Sequence, residues 1–490
     1  HGLCGAECGC GKMNYKIESI ELYVRELPPD RMVFAIGKVK AKRRPRGVWL
    51  CRVVVSDEKG SSAWGVSGDR PSFGWLDKRK KYSSEQKYDR LKQLVQATRK
   101  VYLGYSKFKT PFELWHNCHG QIQKLGRTQD HESLSSSYVS ALFERAILDA
   151  VCRLHNKSIF EMVRSDALGI DAARLHPELK DISIGRTLPR RPLREIYIRH
   201  TVGAKDPILT ADLPKASRLN DGEPETLEEY IRRDGLRYFK VKTGGNPEED
   251  LDRLERVWSV VMHADQPVVT LDGNESARDI DTFARFVESF EKQIPGLFQH
   301  TAFIEQPLTR ALTHNPATAK AIAAISKKKP LIIDEADGNT TSFASAFKIG
   351  YSGTSHKNCK GFFKSVMNRA LCGVLRERKG RDAFLSAEDL SLMPLVSLHQ
   401  GFAAVALLNI AHAERNGHHY SFGQRQLTPR EQQLALQHHP DLYTRRKIDL
   451  FLNIQAGKVR CDSIQCPGFG VKFEPEWKRL TPLGDWKVVW

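Results

Sequence analysis

One pattern limits what this chain can fold into. Short apolar runs end abruptly in a charged residue, and they recur at intervals of one strand plus one helix. Residues 238–243 (YFKVKT) end in lysines, and 268–274 (VVTLDGN) reach Asp272. Phe303-Ile304 runs into Glu305, and Leu331-Ile332-Ile333 runs into Asp334-Glu335. Residues 351–360 (YSGTSHKNCK) repeat the form around Lys357. Lys242, Asp272, Glu305, Asp334 and Lys357 are spaced by 30, 33, 29 and 23 residues. A strand with its return helix takes roughly 30 residues. An apolar run that stops at a carboxylate is what a buried parallel strand looks like where its C-terminal end opens onto a site. In a closed barrel of such units, the polar groups gather at the face where active sites sit.

The flanking sequence agrees. Residues 196–201 read as a first strand. Helical spacing follows at 226–234, 247–264, 277–291, 316–327, 342–348 and 362–377. A seventh strand is expected at 384–388, a helix at 401–413 and an eighth strand at 418–422. Eight strands alternating with helices favour a barrel over an open sheet, and no Gly-rich dinucleotide turn follows any of them. The barrel is therefore expected over residues 189–425. Residues 13–188 alternate in the β manner at 15–24, 48–55 and 63–66, then turn helical at 138–163, which reads as a separate α+β domain. Residues 1–12 are a Gly- and Cys-rich tail, and 426–490 form a basic C-terminal segment.

Charge and composition bound the partners. The formal charge of +18 favours anions, either small acids or nucleic acid. Ten cysteines in 490 residues make no disulfide scaffold, so a reducing cytoplasm is expected. Cys4, Cys8 and Cys10 match no standard metal spacing. No run reaches the ~20 apolar residues of a membrane span.

Asp272, Glu305 and Asp334 are three hard oxygen donors on three rigid strands, a set that suits Mg²⁺. Lys240 and Lys242 are two apart and face one side of their strand. Beside a like charge and a divalent cation, Lys242 is expected to fall from its usual ~10.4 toward ~7–8, where a lysine works as a general base.

The segments 239–244 (FKVKTG), 271–274 (LDGN), 303–308 (FIEQPL), 333–335 (IDE) and 357–361 (KNCKG) resemble, in this order, the motifs of the enolase superfamily. Within the mandelate racemase and muconate-lactonizing group, the order lysine strand, Asp, Glu, Asp, lysine is similar to the two-lysine muconate-lactonizing subgroup. The resemblance implies a modified TIM barrel, (β/α)7β, under an N-terminal α+β cap completed by the C-terminal segment. Residues 466–471 (CPGFGV) resemble the segment by which such chains return to the cap. It also implies a reaction. A carboxylate of a small anionic substrate binds Mg²⁺, and a lysine removes the neighbouring alpha proton to give an enediolate. By match, Lys242 and Lys357 stand on opposite faces of the substrate, with Lys240 beside them. A racemase, epimerase or cycloisomerase is implied, with an acid-sugar dehydratase or other lyase as the alternative. On the sixth strand, Lys357 or Lys360 points inward, with His356 as a third candidate. Asn274, Glu335, His356, Lys360, Glu388 and Arg43 are the expected substrate contacts. Cap loops near 31–47 and 64–75 are expected to select the substrate, and a homo-oligomer is expected. The reading from another class is a basic nucleic-acid surface on a non-catalytic barrel. It would use the loop at 38–46, the basic stretch at 77–109 and the aromatics Trp64, Phe73 and Trp75. No recognised nucleic-acid module supports it.

Overall fold

The computed structural model describes residues 14–32, 45–389, 395–415 and 419–490. The tail cysteines Cys4, Cys8 and Cys10, and Arg43 with most of its basic loop, lie outside them. The first strands obey the alternation of their sequence. β1 (Tyr15–Glu26) buries Tyr15, Ile17, Ile20, Leu22 and Val24 on one face. It pairs antiparallel with β2 (Gly47–Asp57), which pairs in turn with β3 (Ser62–Asp69). A single-turn helix, α1 (Phe73–Leu76), precedes α2 (Ser84–Gly104) and α3 (Pro111–Thr128). Both longer helices start on local caps. Ser83 and Gln86 exchange side-chain and backbone hydrogen bonds at the start of α2. Thr110 caps α3, whose first residue is a proline.

The next helix, α4 (Ser133–Leu154), is the seam between cap and barrel. It is buried almost all round, so its ionisable groups need partners inside the protein. Glu144 accepts from the Phe363 amide at 2.7 Å. Arg145 pairs with Asp69. Asp149 accepts from the Val66 amide at 3.0 Å. The sheet lies so close that a Cβ on Gly65 would sit 2.1 Å from the Ala146 carbonyl oxygen. Glycine is what permits that approach. The helix expected across 138–163 is two helices. Asn156 turns left-handed with φ 51°, and a Ser158–Glu161 capping box then starts α5 (Ile159–Arg164).

The barrel strands are β4 (Glu195–Val202), β5 (Tyr238–Lys242), β6 (Val268–Asp272), β7 (Thr301–Glu305), β8 (Leu331–Ile333), β9 (Gly353–His356), β10 (Phe384–Asp389) and β11 (His412–Arg415). Each pairs in parallel with the next, and β11 pairs back with β4, His412 opposite Tyr197. The sheet is therefore closed. Return helices cover it: α6 (Leu227–Asp234), α7 (Pro247–Val261), α8 (Ile280–Gln293), α9 (Ala319–Lys328), α10 (Ser342–Ile349), α11 (Phe362–Lys379) and α12 (Val396–Leu408). This is the (β/α)7β barrel with a cap that the motifs imply.

The eighth strand differs from the sequence expectation. It lies at His412–Arg415, ahead of 418–422, and α12 ends at Leu408, where Asn409 takes a left-handed cap. Beyond it the chain turns back to the cap. Glu431, on α13 (Pro429–His438), takes Arg25 of β1 in a buried ion pair at 2.6 Å. β12 (Lys458–Arg460) adds antiparallel to β4. The Phe469 amide donates to Asp149 at 2.6 Å, and β13 (Thr481–Pro482) joins β1, Pro482 opposite Tyr23. Among the described residues no helix is long and apolar enough to cross a membrane.

Candidate active site

The C-terminal ends of the barrel strands bring nine ionisable side chains into one buried cluster. Alternation along β5 sends Phe239 and Val241 outward and Lys240 and Lys242 inward. The Lys240 ammonium is fully buried inside a ring of carboxylates. It lies 2.9 Å from Asp272, 2.9 Å from Glu305 and 2.8 Å from Glu414, and it also contacts Glu388. Lys242 reaches Asp272 at 2.6 Å and Glu414 at 3.6 Å. Lys357, just beyond β9, donates to Asp334 at 2.6 Å and contacts Glu388. Lys360 takes the other Asp334 oxygen at 3.0 Å. Both sixth-strand lysines thus point into the site and share one carboxylate.

The remaining expected contacts separate. Asn274 donates to Glu335 at 3.2 Å, and Glu335 also receives the cap residue Lys78 at 3.1 Å. This pair forms the rim, where Lys78 also meets Glu275 at 2.9 Å. His356 turns away from the cluster to hydrogen-bond Ser365 of α11 at 2.7 Å. Burial, with Lys360 and Lys364 nearby, pushes its ring down to about 3, so it is neutral at ordinary pH.

Burial and charge act against each other throughout. Burial pushes the Glu305 carboxyl up to about 7, against the pull of Lys240. Asp272 pays the same burial cost, but Lys240 and Lys242 hold it below the usual carboxylate range. Asp334 is held down by Lys357 and Lys360, again against burial. The two candidate bases differ. For Lys242, burial favours loss of the proton, yet Asp272 and Glu414 outweigh it and raise the ammonium. Lys240 alone does not lower Lys242, because Asp272 and Glu414 outweigh it; the expected lowering also counts on the charge of a divalent cation. Lys357 is the lysine that is lowered, by burial first and then by Lys360 and Lys240, against Asp334.

The donor set fits a hard divalent cation. Oxygens of Asp272, Glu305 and Glu388 lie within 4.8 Å of one another. Among the described residues neither Glu305 oxygen has a hydrogen-bond partner and only Oε2 has the Lys240 ammonium close by, so the carboxylate keeps capacity for a further cation. The converging trio contains Glu388, where the sequence reading had Asp334.

Four further residues belong to the site and were not named among its expected groups. Glu414 anchors both β5 lysines. Its signal was present, since Ile410-Ala411-His412-Ala413-Glu414 is another run ending in acid. Arg199 of β4 fills the barrel among β10 and β11, donating to Ser386 and the Ala387 carbonyl at 2.9 and 2.8 Å. Trp75 and Lys78 come from the cap; Trp75 ends the 64–75 loop expected to select the substrate, and Lys78 opens the basic stretch read as a surface.

Family models of protein sequence give no match to this chain, and no curated protein is similar to it in sequence. Solved structures are similar in shape. The mandelate racemase/muconate lactonizing enzyme from Bordetella bronchiseptica superposes with a TM-score of 0.58 at 14% identity, covering 94% of this chain and 98% of that one. The chain has the fold of the enolase superfamily. An N-succinyl Arg/Lys racemase from Bacillus cereus gives a TM-score of 0.56 at 16% identity, over 94% and 96% of the two chains. A dipeptide epimerase from Enterococcus faecalis, complexed with Mg and the dipeptide L-Leu-L-Tyr, gives 0.56 at 11% identity over 94% and 100%. The enolase-superfamily fold read from five short motifs is thus found in the three-dimensional comparison.

Proposed function

We propose that this protein is an Mg²⁺-dependent enzyme of the enolase superfamily that moves the proton alpha to the carboxylate of a small organic acid, as a racemase, epimerase or cycloisomerase. One observation carries the reading: Lys242 and Lys357 leave strands four apart in an eight-stranded barrel and flank a single carboxylate cluster from opposite sides. Two amines so placed address both faces of one carbon. When bound, Mg²⁺ supplies positive charge that offsets the negative charge developing on the substrate carboxylate. Lys242 and Lys357 exchange the alpha proton at their Nζ atoms, and the buried cluster keeps water from competing. The neighbours' racemase and epimerase chemistry supports the reaction type. A lyase of the same fold would use the same first step.

The nucleic-acid reading gains no support from the described residues. Trp64 lies under the Arg153 guanidinium at 3.5 Å, and Phe73 is buried. Arg79 and Lys81 converge on Asp130.

The test is a panel of N-acyl amino acids, dipeptides and acid sugars in D₂O with Mg²⁺, followed by NMR for alpha deuterium. Absence of exchange across the panel would count against the reading. A second measurement addresses the cation. Glu305→Gln is expected to weaken Mg²⁺ binding at least about tenfold by calorimetry, since even outer-sphere partners contribute that much. Equal affinity in variant and parent would remove Glu305 from the ligand set. The third donor is Asp334 by sequence order and Glu388 by convergence of oxygens. The same titration of Asp334→Asn and Glu388→Gln decides between them.

A further inference from the structure

The Lys357 ammonium has a third neighbour besides Asp334 and Glu388: the indole of Trp75, whose ring centre lies 4.2 Å from the nitrogen. The cap thus closes the side of the amine that the barrel leaves open, and an aromatic face is an attractive partner for a cation withdrawn from water. Trp75 is held there from the barrel itself. Arg310, at the start of a single-turn helix after β7, donates to the carbonyl oxygens of Trp75 and Leu76 at 2.5 and 2.8 Å. Two residues on, Lys78 grips the Asn274 carbonyl at 2.6 Å and Glu335 at 3.1 Å. On its outer side, Phe73 packs edge-on against Tyr88 and Trp490. The indole is therefore fixed by both parts of the fold. Its N–H is the exception, because it is buried and has no hydrogen-bond partner among the described residues. A buried donor left unpaired is costly, and the group that satisfies it must come from outside the described residues.

We propose that Trp75 is a specificity-determining residue: its ring shields Lys357, and its N–H donates to an uncharged oxygen of the substrate on the Lys357 side of the alpha carbon. This rests on the proton-transfer reading and narrows it. The substrate is a carboxylic acid with a carbonyl or hydroxyl oxygen beside its alpha carbon, rather than a simple alkyl acid.

Two measurements on the full chain test it. The first needs no substrate. Lysines are methylated with formaldehyde and cyanoborohydride, and the rate at each position is read by peptide mass spectrometry. Trp75→Ala is expected to speed labelling of Lys357 several-fold and leave Lys242 unchanged, while Trp75→Phe stays near the parent. Equal Lys357 labelling in parent and Trp75→Ala would overturn the shield. The second compares alpha exchange of N-acetyl amino acids and 2-hydroxy acids with that of 2-alkyl acids of equal size. The parent is expected to prefer the oxygen-bearing acids. Trp75→Phe, which keeps the ring and removes the donor, is expected to lose at least about tenfold of that preference in kcat/KM. Mg²⁺ affinity should hold in both variants. A preference that survives Trp75→Phe, or a parent that exchanges alkyl acids equally well, would overturn the donor role. If the parent exchanges no acid at all, the proton-transfer reading and the donor role fall together, and the labelling result alone decides the shield.

Discussion

Lys242→Ala and Lys357→Ala are each expected to lose about 10²- to 10⁴-fold in alpha-proton transfer, the usual share of a positioned acid or base. The losses should divide by face. In a racemisation, Lys242→Ala stops exchange from one enantiomer and Lys357→Ala from the other, because each amine reaches one side of the carbon. In an elimination, Lys357→Ala spares exchange and slows product formation. Mg²⁺ binding should persist in both, which separates loss of a base from loss of the cation. Lys360 provides the internal control. It holds the second oxygen of Asp334, so its removal should perturb Lys357 without replacing it. An inactive Lys360→Ala beside an active Lys357→Ala would transfer the role to Lys360. Full exchange in both Lys242→Ala and Lys357→Ala would end the two-lysine mechanism.

Lys240→Met is expected to produce the largest loss of stability of any single change at the site. The variant leaves Asp272, Glu305, Glu388 and Glu414 buried around the place of their shared cation. Breaking one buried ion pair from one side costs about 3–5 kcal/mol. At ~2–4 °C per kcal/mol for a domain of this size, the melting temperature should fall on the order of 10 °C. The penalty carries a sign in pH. Carboxyls raised in the folded state, as Glu305 is at about 7, favour folding below their unfolded value near ~4.3 and lose that contribution as pH rises through the raised value. The variant should therefore recover toward pH 4 and be weakest above pH 7. Mg²⁺ should raise its melting temperature more than that of the parent, because the added charge replaces the lost one. Scanning calorimetry at both pH values, with and without Mg²⁺, checks this. A melting temperature within a degree or two of the parent throughout would show that the four carboxylates do not depend on Lys240.

What the sequence made legible follows from how each feature is encoded. Asp272, Glu305 and Asp334 end apolar runs of three to five residues, and the apolar-to-acid step survives as a local signal. The β5 lysines were legible by period two. Glu414 was missed because β11 is four residues long with three of them ionisable, and its start was read as the end of a helix expected at 401–413. The balance of charge at Lys242 was not legible, because Glu414 arrives from a strand far along the chain and offsets the like charge of Lys240. The rim is similar. Lys78 meets Glu335 and Trp75 meets Lys357 only because the cap docks where it does, and no window of sequence contains both partners. His356 shows the converse case. Its position beside Lys357 suggested a role, but alternation in β9 turns it toward Ser365.

Pairing of Tyr23 with Pro482 has a consequence for the order in which the chain matures during synthesis. The first strand is translated more than 450 residues ahead of β13, and its outer edge pairs with Lys107-Phe108 at one end and with β13 at the other. Until β13 is made, the edge offers unpaired amides and carbonyls to any passing strand. The whole barrel is translated between the two strands, so the cap sheet is completed only after the barrel strands have been made. A chain stopped after residue 475 is expected to keep the barrel protected from protease while the first strand and its neighbours are cut, and to be prone to edge-to-edge aggregation. Cleavage no faster than in the full chain would show that the cap closes without its final strand.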